Sequence, residues 1–140
     1  MPSILDDIVA AKRLELAEAM QAVSYADVEH AAAEQPRPLN LSGALTSGGI
    51  RLIAEVKKAS PSRGLLSPNF DPVHLAHTYV SNGAAAISCL TDPRFQGELA
   101  HLSSIKQSGA SGRAPVIRKD FIFDPYQVYE ARAAVPTASS

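Results

Sequence analysis

Three short stretches gather groups able to move protons or hold anions: Glu55-Val-Lys57-Lys58-Ala-Ser60, Ser88-Cys-Leu-Thr91-Asp92 and Arg118-Lys119-Asp120. Each lies at the end of an apolar run. A carboxylate beside a lysine keeps the ammonium charged and orients it, which leaves a positive point for an anionic ligand. Residues two apart on a strand share a face, so Glu55 and Lys57 are expected to project together. Lys119 stands between Val116-Ile117 and Phe121-Ile-Phe123, which predicts a packed stem with the amine at the strand end. Such an amine donates a proton when burial or a nearby cation lowers its pKa towards the working pH, and Lys57 can be that cation. The plainer reading of Arg118-Lys119-Asp120 is a solvated ion pair, worth ~0–1 kcal/mol. The recurrence of such groups behind successive apolar runs favours a shared site over three independent surface pairs.

The elements that must carry these residues are marked by their own signals. Arg51–Val56, Ala84–Leu90 and Pro115–Lys119 read as strands. Between and after them, Phe70-Asp71-Pro72 and Asp124-Pro125 each place an N-cap acid before a proline at the first helical position. The first of these helices is expected to stop at Asn82-Gly83, and a helix over Glu98–Ser108 to stop at Gly109 and Gly112. Strand and helix alternate at short spacing, which predicts βαβ units with a parallel sheet, its helices on one side if the strand order is sequential. Ligands of such folds sit at the carboxyl ends of the strands, where all three polar stretches fall. Residues 1–50 differ in grammar. Ser3 with Asp6 forms a capping-box pattern ahead of a helix to about Met20, Ser24 starts a second helix broken by Pro36-Arg-Pro38, and a short turn of helix is expected over Leu39–Leu45.

Composition narrows the class. With 140 residues, 46% hydrophobic, 19% charged and a net charge of −1, the chain reads as one globular domain, with no bulk charge for nucleic acid or an anionic membrane. No apolar run approaches the ~20 residues of a membrane span, and Asp6, Asp7, Glu15 and Glu18 are wrong for a leader peptide. The single Cys89 lies inside an apolar run, where it reads as a packing thiol in a reducing, cytoplasmic setting. The four histidines (30, 74, 77 and 101) fall in predicted helices, and His74 with His77 lacks a third ligand for a metal. Glycine-rich phosphate fingerprints are absent.

The blocks Ile53-Ala-Glu-Val-Lys-Lys-Ala-Ser-Pro-Ser-Arg-Gly64, Phe70-Asp-Pro, Gly83-Ala-Ala-Ala-Ile-Ser-Cys-Leu-Thr91, Phe95-Gln-Gly97 and Val116-Ile-Arg-Lys-Asp-Phe-Ile-Phe-Asp-Pro-Tyr-Gln127 closely resemble indole-3-glycerol phosphate synthase. The resemblance covers about residues 4–134. It implies an α/β TIM (β/α)8-barrel lyase of tryptophan biosynthesis that uses no metal or organic cofactor. It further implies residues 1–50 as the family's N-terminal helical extension and 51–134 as its first three βα units. The implied reaction closes and decarboxylates 1-(2-carboxyphenylamino)-1-deoxyribulose 5-phosphate, an anionic phosphorylated substrate, to indole-3-glycerol phosphate, carbon dioxide and water. By motif position Lys119 matches the general acid of ring closure. Lys57 matches the lysine that contacts the anion and assists proton transfer, Glu55 the acid that holds these lysines, and Ser60 a substrate-contacting serine.

The pattern stops at Ala134, where the family continues with Gly-Ala-Asp and a fourth strand, whereas residues 135–140 read Val-Pro-Thr-Ala-Ser-Ser. Codons for Gly-Ala-Asp-Gly-Ile-Leu read one base late give these residues, so a frameshift or equivalent truncation is expected here and resequencing the DNA tests it. The family's general base and much of its phosphate grip come from later strands. The 140-residue chain is therefore expected to be inactive alone. The alternative is a non-catalytic module that binds an anion or pairs with another half-barrel. Exposed sheet edges predict self-association.

Overall fold

The computed structural model describes residues 1–134, so the expected non-family tail at 135–140 lies outside the described residues. Two compact units emerge, one of Met1–Gln35 with Phe121–Ala133, the other built on Pro36–Asp120.

The first unit is helical: α1 (Ile4–Ala22), α2 (Tyr25–Ala33) and, later in the chain, α6 (Pro125–Ala133). The expected capping box is formed, the Ser3 hydroxyl accepting from the Asp6 amide while the Asp6 carboxylate accepts from the Ser3 amide. The Ser3 amide, together with the Ser3 hydroxyl that also donates to the carboxylate, holds the Asp6 carboxyl below its ordinary pKa. The Ser24 hydroxyl caps α2 by accepting from the Asp27 amide. Helices α2 and α6 pack through aromatic rings, with Tyr25 edge-on to Tyr129 at 5.7 Å and tilted against Tyr126 at 6.1 Å. Tyr126 is buried, and its hydroxyl lies 2.8 Å from the Val23 carbonyl and 3.0 Å from that of Ala19, closing the end of α1.

The second unit carries α3 (Leu41–Thr46) and a three-stranded parallel sheet of β1 (Ile53–Val56), β4 (Ala86–Leu90) and β5 (Val116–Lys119), in that spatial order. The order is sequential, the case in which right-handed crossovers place the linking helices on one side of the sheet. Helix α4 (Pro72–Ser81) links β1 to β4 and α5 (Leu99–Ser108) links β4 to β5. Val56, Ile87 and Cys89 pack against Ala76, Leu102 and Ile105 to form the core on one face of the sheet. Burying each large apolar side chain there contributes ~1.5–3 kcal/mol. The helix signals hold: Asp71 caps α4 with Pro72 behind it, Asn82 ends it, and Gly83 turns the chain at φ +100°.

Two elements go beyond the strands and helices expected from the sequence. The Ser-Pro-Ser stop after β1 is the turn of a small antiparallel hairpin, β2 (Ala59–Ser60) with β3 (Gly64–Leu65). A single 3-10 turn, Pro93–Phe95, follows β4. Its signal was present, because Asp92-Pro93 repeats the acid–proline start seen at Asp71-Pro72 and Asp124-Pro125.

Candidate functional site

The sheet register decides which polar groups meet. Glu55 is paired with Ser88 and Ser88 with Ile117, while Leu90 is paired with Lys119. Because side chains alternate, Glu55, Ser88, Ile117 and Lys119 share the face opposite the helix-packed core. Glu55 on β1 and Lys119 on β5 are thus separated by the central strand, a gap of about 9–10 Å between backbones. Only a long acid and a long base can close it, and they do: the Lys119 ammonium donates to the Glu55 carboxylate at 2.9 Å. The pair spans Ser88 at the carboxyl end of the sheet.

This geometry revises two expectations. The ion pair of Glu55 is made with Lys119 and not with its strand neighbour Lys57, for β1 ends at Val56 and the chain bends at Lys58. Lys119 is not packed along its stem either. Its side chain is 57% exposed, since it is the last residue of an outer strand.

Lys57 stands instead over the ring of Phe95, its ammonium 5.4 Å from the centroid. In the sequence Phe95 stands only within the motif Phe95-Gln-Gly97, and it reaches the site because the 3-10 turn lies against β2. Ser60 is buried, and its hydroxyl accepts the Arg63 amide at 3.1 Å and lies 3.4 Å from the Ser62 hydroxyl, so it braces the hairpin turn beside the strand end. The Lys58 carbonyl accepts the amides of Leu66 and Ser67, which closes the hairpin's base.

Behind these groups lies a buried polar layer. Asp120 accepts from the Thr91 hydroxyl at 2.7 Å and from the Arg118 guanidinium at 3.3 Å, and Arg118 also donates to Thr91 at 3.1 Å. With side chains 8% and 1% exposed, Arg118 and Asp120 are not the solvated pair that a strand-end triplet ordinarily makes. Their bonds tie the end of β4 to the end of β5, so they fix where Lys119 starts. Cys89 is a packing thiol as expected, its pKa pushed up to about 12 by burial. His74 and His77 are exposed on α4, while His101 on α5 stacks edge-on against Phe70 at 5.0 Å and meets Glu98 at 3.1 Å. Among the described residues no group of three or more His, Cys, Asp or Glu is placed to hold a metal, and no helix is long and apolar enough to cross a membrane.

The Glu55–Lys119 clasp thus lies at the carboxyl end of a sequential parallel sheet. Comparison with known proteins is decisive, for the family model described as indole-3-glycerol phosphate synthase matches residues 5–138. The chain belongs to the indole-3-glycerol phosphate synthase family. It is 51% identical over 138 residues to the indole-3-glycerol phosphate synthase of Roseiflexus sp. (strain RS-1) and 49% identical to that of Roseiflexus castenholzii (strain DSM 13941 / HLO8), covering 95% of this chain in each case. A match to the synthase of Dehalococcoides mccartyi (strain ATCC BAA-2100 / JCM 16839 / KCTC 5957 / BAV1) is 53% identical over 96 residues, covering 68% of this chain and 37% of the relative. The chain spans about half the length of the two Roseiflexus relatives, 51% of each. The synthase family is one of TIM barrels, and the parallel β1-β4-β5 sheet with α4 and α5 is consistent with a partial unit of that barrel.

Proposed function

We propose that the chain supplies the acid-bearing wall of an indole-3-glycerol phosphate synthase site, a carbon–carbon lyase that converts 1-(2-carboxyphenylamino)-1-deoxyribulose 5-phosphate to indole-3-glycerol phosphate, carbon dioxide and water. The observation that carries this reading is the 2.9 Å bond from Lys119 to Glu55 across the carboxyl end of the sheet. Lys119 is the general acid, giving its proton to the ketone oxygen as the ring closes. Glu55 holds that amine in place. Lys57 supplies a second ammonium for the anionic substrate and assists proton transfer, and Ser60 contacts the substrate from the hairpin. In this proposal residues 1–50 form the helical extension and 51–134 the first three βα units. A cytoplasmic location belongs to the same proposal, on its biosynthetic chemistry and the unpaired thiol of Cys89.

The test is indole fluorescence on incubating the purified chain with the carboxyphenylamino-deoxyribulose phosphate, beside Lys119→Ala. A signal that disappears in the variant supports a working site. A signal that survives it removes Lys119 from the reaction.

A second reading is favoured by the sheet itself: β1 and β5 each have one strand neighbour among the described residues, so both outer edges offer free backbone groups. In that reading the chain is inactive alone and binds an anion or pairs with another half-barrel. An ordered chain with no turnover, which gains activity when a C-terminal half-barrel is added, supports it.

A further inference from the structure

We propose that Phe95 is a positioning residue for Lys57, and that the turn 92–97 is built to hold its ring beneath the ammonium. The inference rests on the proposed role of Lys57 and deepens it. Lys57 has left the strand ladder, so no sheet hydrogen bond fixes where its amine points. The group it stands over is the Phe95 ring, 5.4 Å away, and both residues are half-buried, where a cation–π contact is stronger than in open water.

The turn carrying that ring is rigidly specified. Asp92 is fully buried, accepts the Arg94 amide at 2.8 Å and pairs with the Arg94 guanidinium at 2.7 Å. Its carbonyl accepts the amides of Phe95 and Gly97. Gln96 adopts φ +52°, a left-handed conformation costly for a non-glycine residue. Gly97 lies so close to the end of β4 that a Cβ would stand 2.5 Å from the Leu90 carbonyl oxygen. So much local constraint on six residues serves to aim the half-buried ring that reaches a functional lysine. A ring at this place gives Lys57 a fixed seat without neutralising it, as a carboxylate would, so the full charge remains for an anion.

The experiment has two arms on the whole chain. In the first, nuclear magnetic resonance follows the ε-methylene protons of Lys57 and their cross-peaks to the Phe95 ring. Ring-shielded ε-protons in the parent, relaxed in Phe95→Leu and kept in Phe95→Tyr, are expected. Unshielded protons without ring cross-peaks in the parent overturn the proposal even if no variant folds. In the second arm, calorimetric affinity for the carboxyphenylamino-deoxyribulose phosphate is expected to weaken roughly two- to fivefold in Phe95→Leu and to return in Phe95→Tyr. Equal affinity for parent and Phe95→Leu overturns the positioning role. If the parent binds no substrate, the function proposed above fails, while the first arm still decides whether Phe95 seats Lys57.

Discussion

Replacing Gly97 by alanine tests whether the turn after β4 has the rigidity argued for it. A Cβ at this position meets the Leu90 oxygen at 2.5 Å, the Thr91 carbonyl carbon at 2.7 Å and the Thr91 Cα at 2.8 Å, where ordinary contact begins at 3.4 Å. All three obstacles are backbone, so no side chain can rotate away. Relief requires the end of β4 or the turn to move by nearly an ångström. The end of β4 resists, because the Thr91 amide donates to the Lys119 carbonyl and the Thr91 hydroxyl is held between Asp120 and Arg118. Overpacking costs ~1–3 kcal/mol when side chains can adjust, and Gly97→Ala is expected at or above the top of that range, about 3 kcal/mol. For a chain of this length that lowers Tm by roughly 10 °C. Urea titration and calorimetry measure it, with Gly48→Ala as control because nothing lies within 4 Å of a Cβ there. A Gly97→Ala chain within about 0.5 kcal/mol of the parent would show that the turn yields freely, and the seat argued for Lys57 would lose its support.

Four further outcomes are expected. Glu55→Asp shortens the acid by one methylene across the gap spanned by the clasp; because the pair is half in solvent, urea unfolding should change by less than ~1 kcal/mol, while indole formation by an active form falls. Asp120→Asn removes the anion that compensates buried Arg118 and should cost about 3 kcal/mol or more by the same titration. The thiol of Cys89, raised from 9.0 to about 12, stabilises the folded chain fully below pH 9.0 and loses that contribution as pH rises towards 12. Stability should therefore fall by about 1.4 kcal/mol per unit of pH in that window, a slope absent in Cys89→Ala. His101 has its pKa lowered below 6.5, first by burial, so its contribution is present above pH 6.5 and lost as pH falls; urea titrations of His101→Gln should show a flatter acid limb.

Most of the scaffold was legible because its signals are local. Ser3 with Asp6, Asp71 with Pro72, and Gly83 and Gly109 after their helices each satisfy or terminate a helix end within a few residues, and the apolar runs before Lys57, Thr91 and Asp120 are long enough only for strands. The acid–proline pair at Asp92 carries the same kind of signal, yet it opens a single 3-10 turn, because Gly97 must fold straight back onto β4. What was not legible is the choice of partners. Adjacent residues suggested Glu55 with Lys57, whereas the clasp joins Glu55 to Lys119 across a third strand. That choice is made by parallel register, which depends on where β4 lies between the two outer strands. The same cause explains Arg118 and Asp120. A charged triplet at a strand terminus is solvated when the strand stands alone, and becomes a buried brace once Thr91 of the neighbouring strand accepts one partner and donates to the other. Strand ends thus supply the residue types for a site, while the neighbouring strand determines which of them face each other, which are left for an anion, and which are consumed in holding the frame.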